Sequence, residues 1–367
     1  MVNNSLLSKF VNLIDVNDNQ FISAYQKFVD EGDFIAFTRK YEHGYKQTGK
    51  VNHLNFKVKQ ACVSLLDTGV VMIVPDSCNP SSKRIVISSG IHGNETAPIE
   101  IVQLLFSDII NHKIQVKHPT LLIMGNPVAM NIAKRFESEN LNRLFCQKYQ
   151  NINDCFEKYR AEKLEGYVRS FFTDGNTSTI NYHYDLHTAI RDSKYQKFAI
   201  YPYQHDKNWN REQLCFLASC GVNTILFGHS PTGTFSYFSS VNFSAHAFTI
   251  ELGKVKSFGN NNMDNFIDIR VKLSALICDQ PLSLKPFNNG DFNLFKALGD
   301  ITKSSDSFKL HINDQASNFT SYPINTLLSS DKEYDYRTTK DNECVVFPNA
   351  NVGIGQRAVL MVVPTTL

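Results

Sequence analysis

The chain has 367 residues, 42% hydrophobic and 20% charged, which is enough apolar material for one large or two medium domains with a buried core. Its 37 Lys and Arg stand against 35 Asp and Glu, a net charge of +2, so there is no field to hold a polyanion and no nucleic-acid partner is expected. The longest apolar runs, such as Val70 to Val74 and Leu121 to Met124, fall far short of the roughly 20 residues that span a bilayer, so no membrane partner is expected either.

Met1 to Gln20 breaks its short apolar stretches with Lys9, Asp15 and Asp18 and lacks a secretory pattern. The 8 cysteines contain no Cys-x-x-Cys pair, which argues against disulfide staples and a thiolate zinc site and predicts a cytoplasmic protein. Ser5 to Lys40 mixes apolar positions at helical spacing with Asp and Asn breaks, predicting an N-terminal helical extension over residues 1–50. Arg84-Ile85-Val86-Ile87-Ser88-Ser89-Gly90 reads as a buried strand, Pro98 to Ile110 as a helix, and Pro119 to Gly125 as a second strand that Asn126-Pro127 ends. A polar loop follows through Arg143. Asp154 to Phe172 carries Phe156, Tyr159, Leu164, Val168 and Phe171 at near-helical spacing, and Asp174-Gly175-Asn176 turns the chain into a strand from Tyr182 to His187. Phe198 to Tyr203, Thr224 to Phe227 and Ala245 to Leu252 are further short strands. Strands alternating with helices predict an α/β domain over residues 51–280, built on a largely parallel sheet covered on both faces. A helix from Phe266 to Cys278 precedes a boundary near Pro281 to Pro286, and Phe308 to His311 and Glu343 to Phe347 predict a small β-rich domain over residues 281–367.

The chemistry concentrates at His92-Gly93-Asn94-Glu95-Thr96, at the C-terminal edge of a predicted buried strand, where ligands collect in open α/β sheets. A His and a Glu three apart across a glycine turn can aim an imidazole and a carboxylate at one point, which suits zinc with a third ligand. His187 offers that ligand at the end of another strand, and alternation puts Asp185 on its face, placed either to orient it or to contact the site from beside it. Each has an ordinary alternative: a loop histidine, a carboxylate near a helix N-terminus, a core histidine bonded to Asp185. Glu251, closing the apolar run Phe248-Thr249-Ile250, is a candidate base, with an ion pair to nearby Lys254 as its alternative. Arg135, Asn142 and Arg143 lie between the two ligand segments, and Arg191 four residues after His187. As guanidinium and amide groups they suit a substrate carboxylate or an oxyanion, and surface arginines are the plain alternative.

These residues are familiar as a set. His92-Gly93-Asn94-Glu95-Thr96-Ala97-Pro98, Gly125-Asn126-Pro127, Lys134-Arg135, Leu141-Asn142-Arg143-Leu144-Phe145, Asp185-Leu186-His187-Thr188-Ala189-Ile190-Arg191 and Glu251-Leu252-Gly253-Lys254 resemble the succinylglutamate desuccinylase and aspartoacylase family, its desuccinylase branch most. The resemblance runs from about Ile85 to Gly259 and resumes near Tyr334 to Met361. It implies a zinc carboxypeptidase-like fold with a small β-rich C-terminal domain. It further implies hydrolysis of N2-succinylglutamate to succinate and glutamate, the last step of arginine degradation through succinylated intermediates. Carried over by motif, His92, Glu95 and His187 would bind one zinc, and Glu251 would activate the water and protonate the leaving amine. Arg135 would stabilise the oxyanion, while Asn142 and Arg143 would hold a substrate carboxylate. The chain departs from the family at Asn140, where Asp is usual, which predicts at most a changed arginine geometry; the stretch before about Val51 carries no family motif. The rival readings are an aspartoacylase-like deacylase or carboxypeptidase on another N-acyl amino acid, and a non-catalytic metal or dicarboxylate binder.

Overall fold

The computed structural model describes residues 16–44, 54–77, 83–173, 179–205, 208–332 and 334–367. The expected turn at Asp174-Gly175-Asn176 and everything ahead of residue 16 lie outside the described residues. The chain divides into two compact units, the first made of residues 1–187, 232–249 and 255–284, the second of 188–231, 250–254 and 285–367.

In the first unit, Asp18 caps α1 (Asn19–Glu31) by accepting from the Gln20 and Phe21 N–H groups, and Asp33 caps α2 (Phe34–Lys40) through the Ala36 N–H. The buried rings Phe21, Phe28, Phe34, Phe37 and Tyr41 form an aromatic cluster with Phe106 of α3 (Thr96–Ile110). The N-terminal helices are thereby fastened to the helix layer. β1 (Leu54–Val58), β2 (Ala61–Asp67) and β3 (Val70–Pro75) form an antiparallel meander, and β3 pairs antiparallel with β5 (Thr120–Met124). β5, β4 (Lys83–Ser89) and β6 (Ile180–Ala189) are parallel, giving the order β1-β2-β3-β5-β4-β6 and then β9 (His246–Lys254). Val86 of β4 and Leu121 and Ile123 of β5 share one core with α5 (Phe156–Thr173) and α7 (Phe235–Phe243). Ile85, Ile87 and Leu122 alternate to the opposite face, fully buried, and α3 packs on the same two strands. α8 (Ile267–Ile277) joins α3 in that layer. Coverage of both faces is why Ile85 to Ile87 and Leu121 to Met124 are apolar on both sides of the sheet.

Two sequence expectations change here. Pro127 does more than end a strand: it is the first residue of a short helix, α4 (Pro127–Asn131), with Asn126 as its cap, since proline needs no N–H at that position. The β1–β2 meander was not expected: β1 alternates, with Asn55 and Lys57 outward, but over only five residues.

The second unit continues the α/β pattern with parallel β7 (Phe198–Tyr201), β8 (Thr224–Phe227) and β10 (Asn293–Thr302), with α6 (Arg211–Ser219) between the first two. From β10 the sheet turns antiparallel through β16 (Arg357–Pro364), β15 (Glu343–Val346) and β12 (Thr320–Tyr322). A separate small sheet pairs β11 (Lys309–Leu310), β13 (Leu327–Ser330) and β14 (Tyr336–Arg337). The expected α/β class, with a mixed sheet flanked by helices and a β-rich C-terminal part, is what the chain forms.

One buried ion cluster ties α5 to the ends of β2 and β5. Asp67 meets Lys163 and Arg160 (3.4 Å), and Arg160 also donates to the carbonyls of Gly125 (2.6 Å), Thr68 (2.7 Å) and Met124 (3.1 Å). Burial opposes ionisation of Asp67, but Lys163 and Arg160 outweigh it and hold its carboxyl below the usual range. Because the folded pKa is the lower one, its stabilisation is full above the unfolded value of about 3.9 and is lost as pH falls through the folded value. Asp67→Asn is expected to cost about 3–5 kcal/mol at pH 7, because it strands buried positive charge. Urea unfolding at pH 7 and pH 3 checks this: the gap to wild type should narrow at the lower pH, and a gap independent of pH would contradict it.

Candidate active site

β4 delivers the chain to the site through Gly90, which takes the left-handed conformation (φ 61) as the strand ends. Gly93 follows, pressed so closely on α4 that a Cβ there would collide with the Ala129 carbonyl carbon and the Met130 nitrogen, and its N–H donates to the Arg135 carbonyl (3.2 Å). This tight turn sets His92 and Glu95 side by side. Glu95 stands at the N-cap position of α3 yet makes no capping hydrogen bond. Its Oε1 meets His92 Nδ1 (2.8 Å) and accepts from Arg135 Nη1 (2.7 Å), and its Oε2 meets His187 Nδ1 (2.9 Å). Glu95 is a helix-terminal carboxylate, as its plain reading has it, but its oxygens face the two imidazoles and the guanidinium in place of the helix N–H groups. His92, Glu95 and His187 are all buried, and one ligand atom from each lies within 4.8 Å of the others.

The outer nitrogens fix the tautomers. Asn140 Oδ1 accepts from the Asn142 N–H (3.1 Å), so it is the amide oxygen that faces His92 Nε2 (3.0 Å), and that nitrogen must donate. Asp185 Oδ2 accepts from His187 Nε2 (2.9 Å). Both Nδ1 atoms are thus turned toward the two Glu95 oxygens, an arrangement that needs positive charge between the facing acceptors. Two imidazole nitrogens and a carboxylate oxygen, each imidazole braced from behind, form a donor set that fits zinc. The electrostatics agree. Burial and the Arg135 charge push His92 down to about 4, which keeps it neutral. Burial opposes protonation of His187, but the Asp185 and Glu95 carboxylates outweigh it and raise its pKa well above the ordinary value. Burial likewise opposes ionisation of Glu95, yet His92 and His187 hold its carboxyl well below the usual range.

Of the other residues singled out in the sequence, the first unit brings Arg135, Asn142 and Arg143 to the same loop. Arg135 is half-buried on Glu95. Asn142 is buried, with Oδ1 accepting from the Phe235 N–H (2.9 Å) and Nδ2 3.5 Å from His187 Nε2. Arg143 is exposed, with Nη1 donating to the Asn142 carbonyl (2.8 Å). Arg191 and Glu251 belong to the second unit. There Arg191 Nη1 donates to the Asp314 carbonyl, Glu251 is buried on β9, and Lys254 pairs with Asp192 (3.0 Å).

Two positioning roles escaped the sequence reading. Asn140 acts on His92 directly, in addition to shaping the arginine loop. Its neutral oxygen is a weaker acceptor than a carboxylate, so Asn140→Asp is expected to tighten metal binding by up to about tenfold. Competition against a chelator measures this, and unchanged affinity would deny Asn140 that role. The second is Glu157 on α5, wholly buried, which accepts from the Glu137 N–H (2.8 Å), the Ser138 and Glu139 N–H groups (both 3.4 Å) and Asn126 Nδ2 (3.1 Å). It clamps the loop that separates Arg135 from Asn142. The signal was present in the helix periodicity, since Glu157 falls in register with Ala161, Leu164 and Val168 on the buried stripe, where an acid must have partners.

The chain has relatives over nearly its whole length. Residues 81–277 match the succinylglutamate desuccinylase/aspartoacylase catalytic domain, and residues 290–365 the AstE/AspA barrel-sandwich hybrid domain. A succinylglutamate desuccinylase of Pseudoalteromonas atlantica is 44% identical over 358 residues, covering 96% of this chain and 99% of the relative. Among solved structures, the succinylglutamate desuccinylase of Vibrio parahaemolyticus superposes with a TM-score of 0.80 at 33% identity, over 90% of this chain and 94% of that one. That of Chromobacterium violaceum gives a TM-score of 0.79 at 32% identity, over 91% and 98%. With both matched domains in order and identity sustained along nearly its whole length, the chain belongs to the succinylglutamate desuccinylase and aspartoacylase family.

Proposed function

We propose that the chain hydrolyses the amide of N2-succinyl-L-glutamate to succinate and L-glutamate, with one zinc ion per chain held by His92, Glu95 and His187. The observation that carries this reading is the convergence of those three buried groups, in a chain 44% identical over 96% of its length to a relative named for that reaction. Zinc bound there supplies Lewis acidity, lowering the pKa of a bound water from about 15.7 to about 7. Glu251, buried on β9, takes a proton from the water on its carboxylate as the new carbon–oxygen bond forms. It returns that proton to the amine nitrogen as the carbon–nitrogen bond breaks, so that succinate and glutamate leave. Arg135 stabilises the oxyanion. Asn142, Arg143 and Arg191 hold carboxylates of a substrate that bears three, a task for guanidinium groups with their fixed fork of donors.

The reaction fits the last step of arginine degradation through succinylated intermediates. The seven described cysteines are free thiols, which supports the reducing cytoplasm as its compartment. Among the described residues no helix is long and apolar enough to cross a membrane.

Substrate profiling tests the choice of acyl group. Zinc-loaded protein is expected to release succinate from N2-succinylglutamate with kcat/KM at least roughly 10²-fold above its release of acetate from N-acetylaspartate, because a guanidinium left without the succinyl carboxylate penalises the shorter acyl chain. The opposite preference would move the chain to the aspartoacylase-like side of its family.

A further inference from the structure

The mechanism leaves one set of buried polar groups unused, directly behind His187. His183, Asp185 and His187 alternate along one face of β6, Ser88 lies opposite Asp185 on β4, and Ser239 comes from α7. None of the five is more than 1% exposed. The contacts are continuous: Ser239 Oγ to His183 Nδ1 (2.7 Å), His183 Nε2 to Ser88 Oγ (2.8 Å), Ser88 Oγ to Asp185 Oδ1 (2.5 Å), and Asp185 Oδ2 to His187 Nε2 (2.9 Å).

Every proton in this chain of contacts has one place to go. A carboxylate only accepts, so the Ser88 hydroxyl proton points at Asp185 and the Ser88 oxygen accepts from His183 Nε2. His183 then presents a lone pair at Nδ1, which the Ser239 hydroxyl fills. Burial pushes His183 down to about 4, so the neutral single-proton form that this pattern requires is the one present. Each neighbour removes the alternative hydrogen bond of the next, and Asp185 is left with one orientation.

We propose that Ser88 and His183 are positioning residues of the metal centre: through Asp185 they fix the ring orientation of His187, so that Nε2 stays bonded to Asp185 and Nδ1 is aimed at the metal position. This rests on the zinc reading above. Outer partners of a metal-ligating histidine typically change metal affinity by about 10–100-fold, and a buried network that is half satisfied loses that benefit.

The test is the zinc dissociation constant of the full chain, by competition with a chromophoric chelator, with thermal unfolding and kcat at saturating zinc recorded beside it. Ser88→Ala and His183→Asn are expected to weaken zinc about tenfold or more. His183→Gln, whose amide nitrogen falls where Nε2 was, retains the donor to Ser88 and is expected to stay within about threefold of wild type. At saturating zinc, kcat should change little in all three. The double variant Ser88→Ala, His183→Asn should lose no more than the worse single one, since both cut the same chain of bonds. Unchanged zinc affinity in Ser88→Ala would overturn the proposal, as would equal losses in His183→Gln and His183→Asn, which would reduce His183 to packing. If Ser88→Ala fails to fold, the comparison of the two His183 variants decides alone. Wild-type protein that takes up no zinc would instead overturn the reading of the centre itself.

Discussion

Removing metal with a chelator is expected to abolish succinate release from N2-succinylglutamate, by more than about 10⁴-fold, and one equivalent of zinc per chain to restore it. No other group of His, Cys, Asp and Glu with ligand spacing occurs among the described residues, so a second binding phase is not expected. The same experiment has a pH dependence with a definite sign. The Asp185 and Glu95 carboxylates raise the His187 pKa well above its ordinary value against the pull of burial, and a proton on Nδ1 must leave before that nitrogen can bind metal. Zinc therefore competes with a proton, and its apparent affinity should fall roughly tenfold for each unit by which pH is lowered through neutrality. His92, already neutral with a pKa of about 4, adds nothing to that slope. Chelator competition at pH 8, 7 and 6 measures it, and an affinity flat over this range would exclude His187 as a ligand.

The second large effect is expected from Glu251→Gln, which preserves shape and removes the ability to carry a proton. A positioned base contributes about 10²–10⁴-fold in rate, so kcat should fall by that factor while zinc still binds at one equivalent. KM should move little, because the substrate carboxylates are assigned to Asn142, Arg143 and Arg191. Steady-state kinetics with zinc content measured on the same sample separates these quantities. A variant that keeps wild-type kcat would remove Glu251 from the proton transfer and leave the metal site standing as a binder.

Much of the α/β frame was legible in the residues because the driving patterns are local. The β-branched run at Ile85 to Ile87 and the apolar run at Leu121 to Met124 read as buried strands, and the near-helical stripe from Phe156 to Phe171 reads as a helix. The half-buried strand Leu54–Val58 and the five-residue helix at Pro127 were not legible, since neither is long enough for its period to stand out. In the candidate site the convergence of His92, Glu95 and His187 was readable from their placement after strands. The partners of Asn140, Glu157, Ser88 and His183 were not.

Sequence alone determined which chemical groups the chain carries and about where its strands lie, and it predicted that imidazole, carboxylate and guanidinium groups collect near their ends. Those are consequences of side-chain chemistry and of local backbone preference, both of which act over a few residues. Tertiary structure decided which nitrogen of each histidine faces inward, which atom of Asn140 holds His92, and that a buried serine and histidine stand behind Asp185. Hydrogen bonds are directional over about 3 Å, and these pairs are far apart in the chain. Their geometry exists only once β4, β6 and α7 have packed.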